Sequence, residues 1–363
     1  MTRGTVLIMA GGTGGHVFPA LAAARVLRER GYEPVWLGTQ RGLEAKLVPP
    51  QKIDIEWISV SGLRGKGLTT WLAAPFRLSL AIWQSLQVMR RRRPKVVLGA
   101  GGFVSGPGGV AAWLTRRPLV IHEQNAVAGM TNRLLARLAR RVLEAFPASF
   151  PPSAGAERVG NPVRREIAAI EAPAQRFAAR TGPLRLLVFG GSQGAARLNA
   201  VLPAALATLD ASIRPVVIHQ AGERHLEQAR ELYAKHNVQA DVRAFIDDMA
   251  EAYAWADLVV SRSGALTVSE LAAAGLPAIF VPFAAAVDDH QTLNAKFLVD
   301  AQAGISIPEA QLTPPRLAEE MRKLLEAGRG RLAEMAVRAR SVAIVDADVR
   351  LADACDAVAG GGP

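Results

Sequence analysis

Gly11-Gly12-Thr13-Gly14-Gly15-His16 and Gly190-Gly191-Ser192-Gln193-Gly194-Ala195 decide the fold of this chain. Each follows a short apolar run, Val6–Met9 or Leu184–Phe189, and each leads into a stretch with helical spacing of apolar residues, Ala20–Arg30 or Ala195–Leu209. A glycine turn between a buried strand and a helix lets backbone N–H groups close on an anion, and the helix adds its positive dipole end. The same device built twice predicts two Rossmann-like halves and two anionic substrates meeting in a central cleft.

Further β-rich runs at Pro34–Leu37, Lys95–Leu98, Leu119–Ile121, Val216–Ile218, Leu258–Val260 and Ala278–Val281 alternate with helical stretches. Continuous apolar strands in that alternation give α/β domains with parallel sheets covered on both faces. At 363 residues, two such domains are expected. The proline-rich segment Pro147–Pro162 is expected to connect an N-terminal domain, 1–160, to a C-terminal domain, 161–341. The helical tail, 342–363, is expected to pack back on the first. Ligands of open parallel sheets sit beyond the carboxyl ends of the strands, where the notable polar motifs of this chain also fall.

A formal charge of +11 implies an acidic partner. Aromatics make up only 6%, without the basic–aromatic alternation of an RNA-binding strand, which argues against nucleic acid. Cys355 is the single cysteine and cannot form an internal disulfide, so a reducing compartment fits. No Cys/His cluster has metal-ligand spacing, and no cofactor or metal is expected. Met1–Ala10 is too short and strand-like for a signal peptide, which predicts an unprocessed, cytoplasmic chain.

The first turn begins a dinucleotide fingerprint, but Val17 stands at the third glycine, and the second strand ends in Gly38-Thr39 without the ribose-binding carboxylate. The ATPase loop is absent. The second turn satisfies G-x-S-x-G, which leaves a serine hydrolase open, with Ser192 as nucleophile and Asp247 or Asp288 with His290 as partners. Ser192 could equally cap the following helix or touch a donor phosphate. A basic nucleotide- or membrane-binding adaptor is the non-enzyme alternative.

The two turns, together with His122-Glu123-Gln124-Asn125, Gly160-Asn161-Pro162-Val163-Arg164 and Ser261-Arg262-Ser263-Gly264-Ala265-Leu266-Thr267-Val268-Ser269-Glu270, closely resemble the MurG family of bacterial N-acetylglucosaminyltransferases. The resemblance covers nearly the whole chain. It implies a GT-B fold and inverting transfer of GlcNAc from UDP-GlcNAc to the C4 hydroxyl of N-acetylmuramic acid on undecaprenyl-diphosphate, converting lipid I to lipid II in peptidoglycan synthesis. On the donor it places Thr13, Gly14, Gly15, Asn125, Arg164, Ser192, Ile246, the run Ala265, Leu266, Thr267, Val268 and Ser269, then Glu270 and Gln291. The acceptor diphosphate falls to Gly11 and Gly12 with the second glycine-rich loop, Gly101, Gly102, Ser105 and Gly106.

The chemistry of these residues agrees with those roles and leaves local alternatives. Arg164 offers a planar fork for phosphate or nucleotide oxygens. The carboxylate of Glu270 can accept from both hydroxyls of a ribose, though Thr267 and Glu270 also have the spacing of a helix capping box. Ile246 matches a position that reads uracil through its backbone. Inverting transfer needs a base for the acceptor proton. His16 suits proton uptake at neutral pH, with Glu123 in reserve. The one Asp-x-Asp pattern, Asp346-Ala347-Asp348, lies far from either turn, so leaving-group charge falls to N–H groups, hydroxyls and Arg164.

Leu68–Met89 is largely apolar but is interrupted by Pro75, Arg77, Gln84 and Gln87, which argues against a membrane span. Leu72, Phe76, Trp83 and Leu86 can share one helical face near Lys66, Arg77 and Arg90–Arg93, with Trp113 a possible neighbour. That pattern reads either as an interfacial helix on an anionic membrane surface or as a connecting helix with its apolar face in the core. The first reading places the enzyme peripherally on the cytoplasmic face of the cell membrane.

Overall fold

The computed structural model describes residues 2–60, 74–191, 195–284 and 289–360. It forms two compact units, Met1–Pro162 with Ile344–Pro363, and Val163–Ala343. The first carries β1 (Gly4–Met9), β2 (Tyr32–Gly38), β3 (Asp54–Trp57), β4 (Val96–Gly99), β5 (Leu119–Glu123), β6 (Arg141–Glu144) and β7 (Glu157–Arg158). These make a parallel sheet in the order β3-β2-β1-β4-β5-β6-β7. The second carries β8 (Arg185–Phe189), β9 (Val216–Gln220), β10 (Asp241–Arg243), β11 (Leu258–Ser261), β12 (Ala278–Phe280) and β13 (Gly304–Ser306). Their order is β10-β9-β8-β11-β12-β13, again parallel.

Strand β1 illustrates how a continuous apolar run is used on both sides. Val6 and Ile8 face one cluster, with Val17, Ala20 and Leu27 of the helix Gly14–Glu29, while Leu7 and Met9 face another, with Val88, Met89, Ala111 and Ala112. Alternation of side chains along the strand divides them between two buried layers. The last helix, Ala347–Ala359, sends Leu351, Ala352, Cys355 and Val358 into the first of these clusters. Burial pushes the Cys355 thiol up to about 12, which leaves it an inert packing residue. At the rim, Asp356 accepts hydrogen bonds from Arg30 and Tyr32 at 2.7 Å each and pairs with Arg3 at 2.9 Å. The carboxylates of the Asp-x-Asp pattern are likewise engaged, Asp346 with Arg350 and Asp348 with Arg25.

The segment Pro147–Pro162 lies wholly in the first unit and is not a free connection. Phe150 and Val159 are buried in its clusters, and β7 extends its sheet. The chain crosses to the second unit only after Pro162.

In each sheet the chain runs outward from one strand and then returns to build the other side. That reversal lies between β1 and β4 in the first sheet and between β8 and β11 in the second. The crevice at the carboxyl ends of such a strand pair is where open parallel sheets bind ligands.

Candidate functional site

The first glycine turn follows β1, and Gly101-Gly102 follows β4, so both lie at the reversal of the first sheet. They interlock backbone to backbone. A Cβ on Gly102, whose φ is +81°, would overlap the carbonyl oxygen of Gly11, and a Cβ on Gly101 would lie 2.6 Å from His16 Nδ1. Only glycine permits both approaches. Thr13 precedes the first turn of the helix Gly14–Glu29, and the early N–H groups of any helix have no intrahelical acceptor, so Gly14 and Gly15 present theirs at the turn.

Two of the acceptor candidates hold the turn together. The Ser105 hydroxyl is buried, and its one hydrogen is shared between the carbonyls of Gly101 (2.8 Å) and Met9 (3.1 Å). The Gly12 N–H is taken by the carboxylate of Glu44 at 3.0 Å, which also accepts from Thr39 N (2.9 Å) and Thr39 Oγ1 (2.8 Å). Glu44 was not identified from sequence. A carboxylate does follow β2, but it is sequestered on main-chain donors and its side chain is fully buried. Gly106, in the first turn of the helix Ser105–Leu114, has only Thr131 near the place of a side chain.

Strand β5 ends in His122 and Glu123 and delivers Gln124 and Asn125 beside this turn. His16 Nδ1 lies 3.0 Å from Gln124 Oε1. Gln124 Nε2 donates to Ala100 O at 2.9 Å and lies 3.1 Å from His122 Nδ1, whose Nε2 lies 2.9 Å from Gly160 O. Burial pushes His122 down to about 4, so it is neutral at physiological pH. Asn161 Nδ2 donates to Gln124 O at 2.9 Å, so Gly160-Asn161 pins the end of the first unit against the motif.

Glu123 is buried and fully engaged. Oε1 accepts from Asn125 N (3.0 Å) and Asn125 Nδ2 (3.2 Å), and Oε2 from Gly129 N (3.0 Å) and Asn132 Nδ2 (2.9 Å). It is a clasp that orients Asn125.

In the second unit, Gly190-Gly191 follows β8, and Ser261–Glu270 follows β11, again at the reversal. Ser192 lies outside the described residues. The helix Ala265–Ala274 is capped by Gly264, with no side-chain cap, so the capping-box reading of Thr267 and Glu270 fails. Its early residues, Ala265, Leu266 and Thr267, present N–H groups at the crevice. Val268 does not, because its side chain is buried and its N–H is bonded to Gly264 O at 2.9 Å. Ser269 Oγ turns back to Ala265 O.

Glu270 is held from two sides. Tyr253 OH donates to Oε2 at 3.1 Å, and Arg164 donates to Oε1 through Nε and a terminal nitrogen, both at 3.2 Å. Burial raises the Glu270 carboxyl above the ordinary carboxylate range against the opposing pull of Arg164 and Tyr253. The Arg164 fork therefore rests on a carboxylate. Ile246 is buried, and its N–H donates to Gln220 Oε1 at 2.9 Å. Gln220 also donates to Gly191 O at 3.2 Å, linking the second turn to the Ile246 segment. Gln291 Oε1 accepts from Phe283 N at 3.0 Å, and its carbonyl accepts from Ser263 Oγ at 2.8 Å.

The helix Ala74–Arg92 buries Ala81, Ser85, Val88 and Met89. Its other side leaves Phe76 76% and Trp83 57% exposed, with Leu80 between them on the same face, and Trp113 is 54% exposed on the helix Ser105–Leu114. Leu86, grouped with them from sequence, lies off that face and packs against the core. Leu72 and Lys66 lie outside the described residues. Arg91 and Arg92 of the arginine run pair with Glu56 on β3, and Arg90 and Arg93 are exposed. Among the described residues, no helix is long and apolar enough to cross a membrane.

Residues 6–144 match the Glycosyltransferase family 28 N-terminal domain, and residues 185–351 the Glycosyltransferase family 28 C-terminal domain. Two relatives carry the name UDP-N-acetylglucosamine--N-acetylmuramyl-(pentapeptide) pyrophosphoryl-undecaprenol N-acetylglucosamine transferase. That of Alkalilimnicola ehrlichii is 59% identical over 96% of this chain and 98% of its own length. That of Nitrosococcus oceani is 57% identical over 98% and 99%. The crystal structure of Acinetobacter baumannii MurG superposes with a TM-score of 0.87 at 42% identity, covering 97% of this chain and 99% of that one. With two parallel-sheet domains of GT-B type, a glycine turn at the reversal of each sheet, and these matches along nearly its whole length, the chain belongs to the MurG family of glycosyltransferases.

Proposed function

We propose that this chain transfers GlcNAc from UDP-GlcNAc onto lipid I, forming lipid II, with inversion, and that His16 takes the proton of the attacking hydroxyl. The observation that carries the activity is the 59% identity over 96% of the chain to a relative named for that transfer. The hydrolase and adaptor readings are set aside on the same ground.

The site chemistry supports a division of labour. The N–H groups of Gly14 and Gly15, which the resemblance places on the donor, would take phosphate charge at the first turn. In the second unit, Glu270 would accept from the ribose hydroxyls, the Ile246 carbonyl would receive the uracil N3–H, and the early N–H groups of the helix Ala265–Ala274 would stabilise the leaving UDP. Arg164 would exchange its carboxylate for a phosphate as the nucleotide arrives. Of the two candidate bases, the geometry favours His16, because all the accepting directions of Glu123 are met by N–H donors. Phe76, Trp83 and Trp113 with the exposed Arg90 and Arg93 fit an anionic membrane surface, where a lipid-borne acceptor resides, and this would put the protein on the cytoplasmic face.

The test is UDP release from UDP-GlcNAc with and without a lipid I analogue, in wild type and His16→Ala. Acceptor-dependent release that is lost in the variant while UDP-GlcNAc still binds is the expected result. Release that ignores the acceptor would overturn the transfer reading.

A further inference from the structure

We propose that Gln124 is a positioning residue that fixes His16 as the tautomer protonated on Nδ1, leaving Nε2 as the bare nitrogen. The inference rests on the reading of His16 as the proton acceptor.

The argument is one of donors and acceptors. The Gln124 amide end facing Ala100 O, 2.9 Å away, must be the NH2 group, because a carbonyl oxygen can only accept. The second hydrogen of that NH2 is shared between His122 Nδ1 at 3.1 Å and the longer contact to His122 O at 3.4 Å, and a protonated Nδ1 facing it would clash, so Nδ1 is unprotonated. His122 satisfies this by carrying its proton on Nε2, 2.9 Å from Gly160 O. The amide orientation is thus set at its NH2 end, and Oε1 is left facing His16 Nδ1 at 3.0 Å. An amide oxygen accepts only, so His16 must donate from Nδ1. Free histidine side chains prefer the proton on Nε2, so the site reverses the ordinary preference.

The consequence bears on the transfer step. The acceptor oxygen bonds to the anomeric carbon as the bond from that carbon to the β-phosphate oxygen breaks, and UDP leaves with the electron pair. The hydroxyl proton passes to His16 Nε2. The resulting imidazolium keeps its Nδ1–H on Gln124 Oε1, a bond that strengthens as charge develops.

The test is a 15N spectrum of histidine-labelled full-length protein, with the His16 signals assigned by their loss in His16→Asn. The expected result is a protonated Nδ1 and an unprotonated Nε2 in the neutral ring, and the opposite pattern would overturn the proposal. In Gln124→Met, kcat should fall about 100-fold with KM for UDP-GlcNAc unchanged, the usual cost of misplacing a catalytic group. A folded Gln124→Met with wild-type kcat would also overturn it. If the Nδ1–H tautomer is found but His16→Ala keeps full activity, the base reading fails and the tautomer assignment stands.

Discussion

Glu44 and Gly12 are 32 residues apart in sequence, yet the Glu44 carboxylate accepts the Gly12 N–H at 3.0 Å. A buried anion beside a turn built for phosphate is unfavourable unless it serves the turn itself. Here the carboxylate also takes both Thr39 donors, so the glycine backbone is held in shape before any ligand arrives. Glu44→Ala would remove three part-buried hydrogen bonds, at about 0.5–1.5 kcal/mol each, because the exposed Gly12 N–H and the half-buried Thr39 donors can turn to water. Chemical denaturation should show a loss of that order. In Glu44→Gln, which keeps one accepting oxygen, KM for a lipid I analogue should rise several-fold while KM for UDP-GlcNAc stays put. A change in the donor constant alone would contradict this role.

Glu123 is the second carboxylate whose chemistry is structural. Four N–H groups converge on its two oxygens, and an amide in its place would turn NH2 against two of them. Glu123→Gln should therefore lower stability by about 1–3 kcal/mol while folded enzyme retains most of its kcat. His16→Ala should do the reverse, with a loss of about 100-fold or more in kcat and an unchanged melting temperature. Equal stability and abolished turnover in Glu123→Gln would return the base role to the carboxylate.

The strands legible in the sequence are the inner ones. β1, β2, β4, β5, β8, β11 and β12 are largely covered on both faces, β9 less so, and all read as continuous apolar runs. Of the strands missed, β3, β7, β10 and β13 are the four sheet edges, and β6 is a four-residue strand that begins with an exposed arginine. At the edges, short segments such as Asp54–Trp57 and Asp241–Arg243 alternate charged and apolar residues and resemble loops. The site divides in the same way. Glycine turns announce themselves by composition, whereas Glu44, Gln220 and Tyr253 are ordinary residue types that reach the site through tertiary folding. For Gln220 a faint signal existed, since His219-Gln220 places polar residues at the carboxyl end of an apolar strand.

With the ribose role proposed for Glu270, donor binding should depend on pH in a defined direction, and Tyr253 should set where. Burial raises the Glu270 carboxyl, and only the ionised form can accept both ribose hydroxyls. KM for UDP-GlcNAc should rise as pH falls into the range where this raised carboxyl takes a proton, before ordinary surface carboxylates titrate. Tyr253→Phe removes one donor to the carboxylate, so the rise should begin at higher pH, and KM at neutral pH should increase about tenfold, the equivalent of one hydrogen bond to a charged group. A Tyr253→Phe variant with the wild-type pH profile would separate Tyr253 from the nucleotide site.

The exposed face of Phe76, Leu80 and Trp83 tests membrane association. Burying a large aromatic side chain contributes about 1.5–3 kcal/mol, and a basic residue near an anionic surface about 1 kcal/mol. Phe76→Ser with Trp83→Ser should weaken sedimentation with anionic vesicles by at least tenfold, and Arg90→Gln with Arg93→Gln by a smaller, salt-sensitive factor. Arg91→Gln should matter less for vesicles, because its charge is paired with Glu56. Unchanged vesicle binding in the aromatic double variant would make this face irrelevant to membranes.

Asp356 ties the last helix to the first. Burial works against its ionisation, but hydrogen bonds from Tyr32 and Arg30 and the nearby Arg3 charge hold its carboxyl below the ordinary range. A carboxyl lower in the folded than in the unfolded chain adds stability that is complete above about pH 4, the unfolded value. That stability is lost as pH falls through the folded value. Asp356→Asn should therefore destabilise the protein by about 1–3 kcal/mol at pH 7 and by little at pH 2.5. The neighbouring Asp353 pairs with Arg30 but is mostly exposed, so Asp353→Asn should cost under about 1 kcal/mol at either pH. Urea unfolding at the two pH values distinguishes the pair. Equal losses from the two substitutions would mean that the last helix is held by Leu351, Cys355 and Val358 alone.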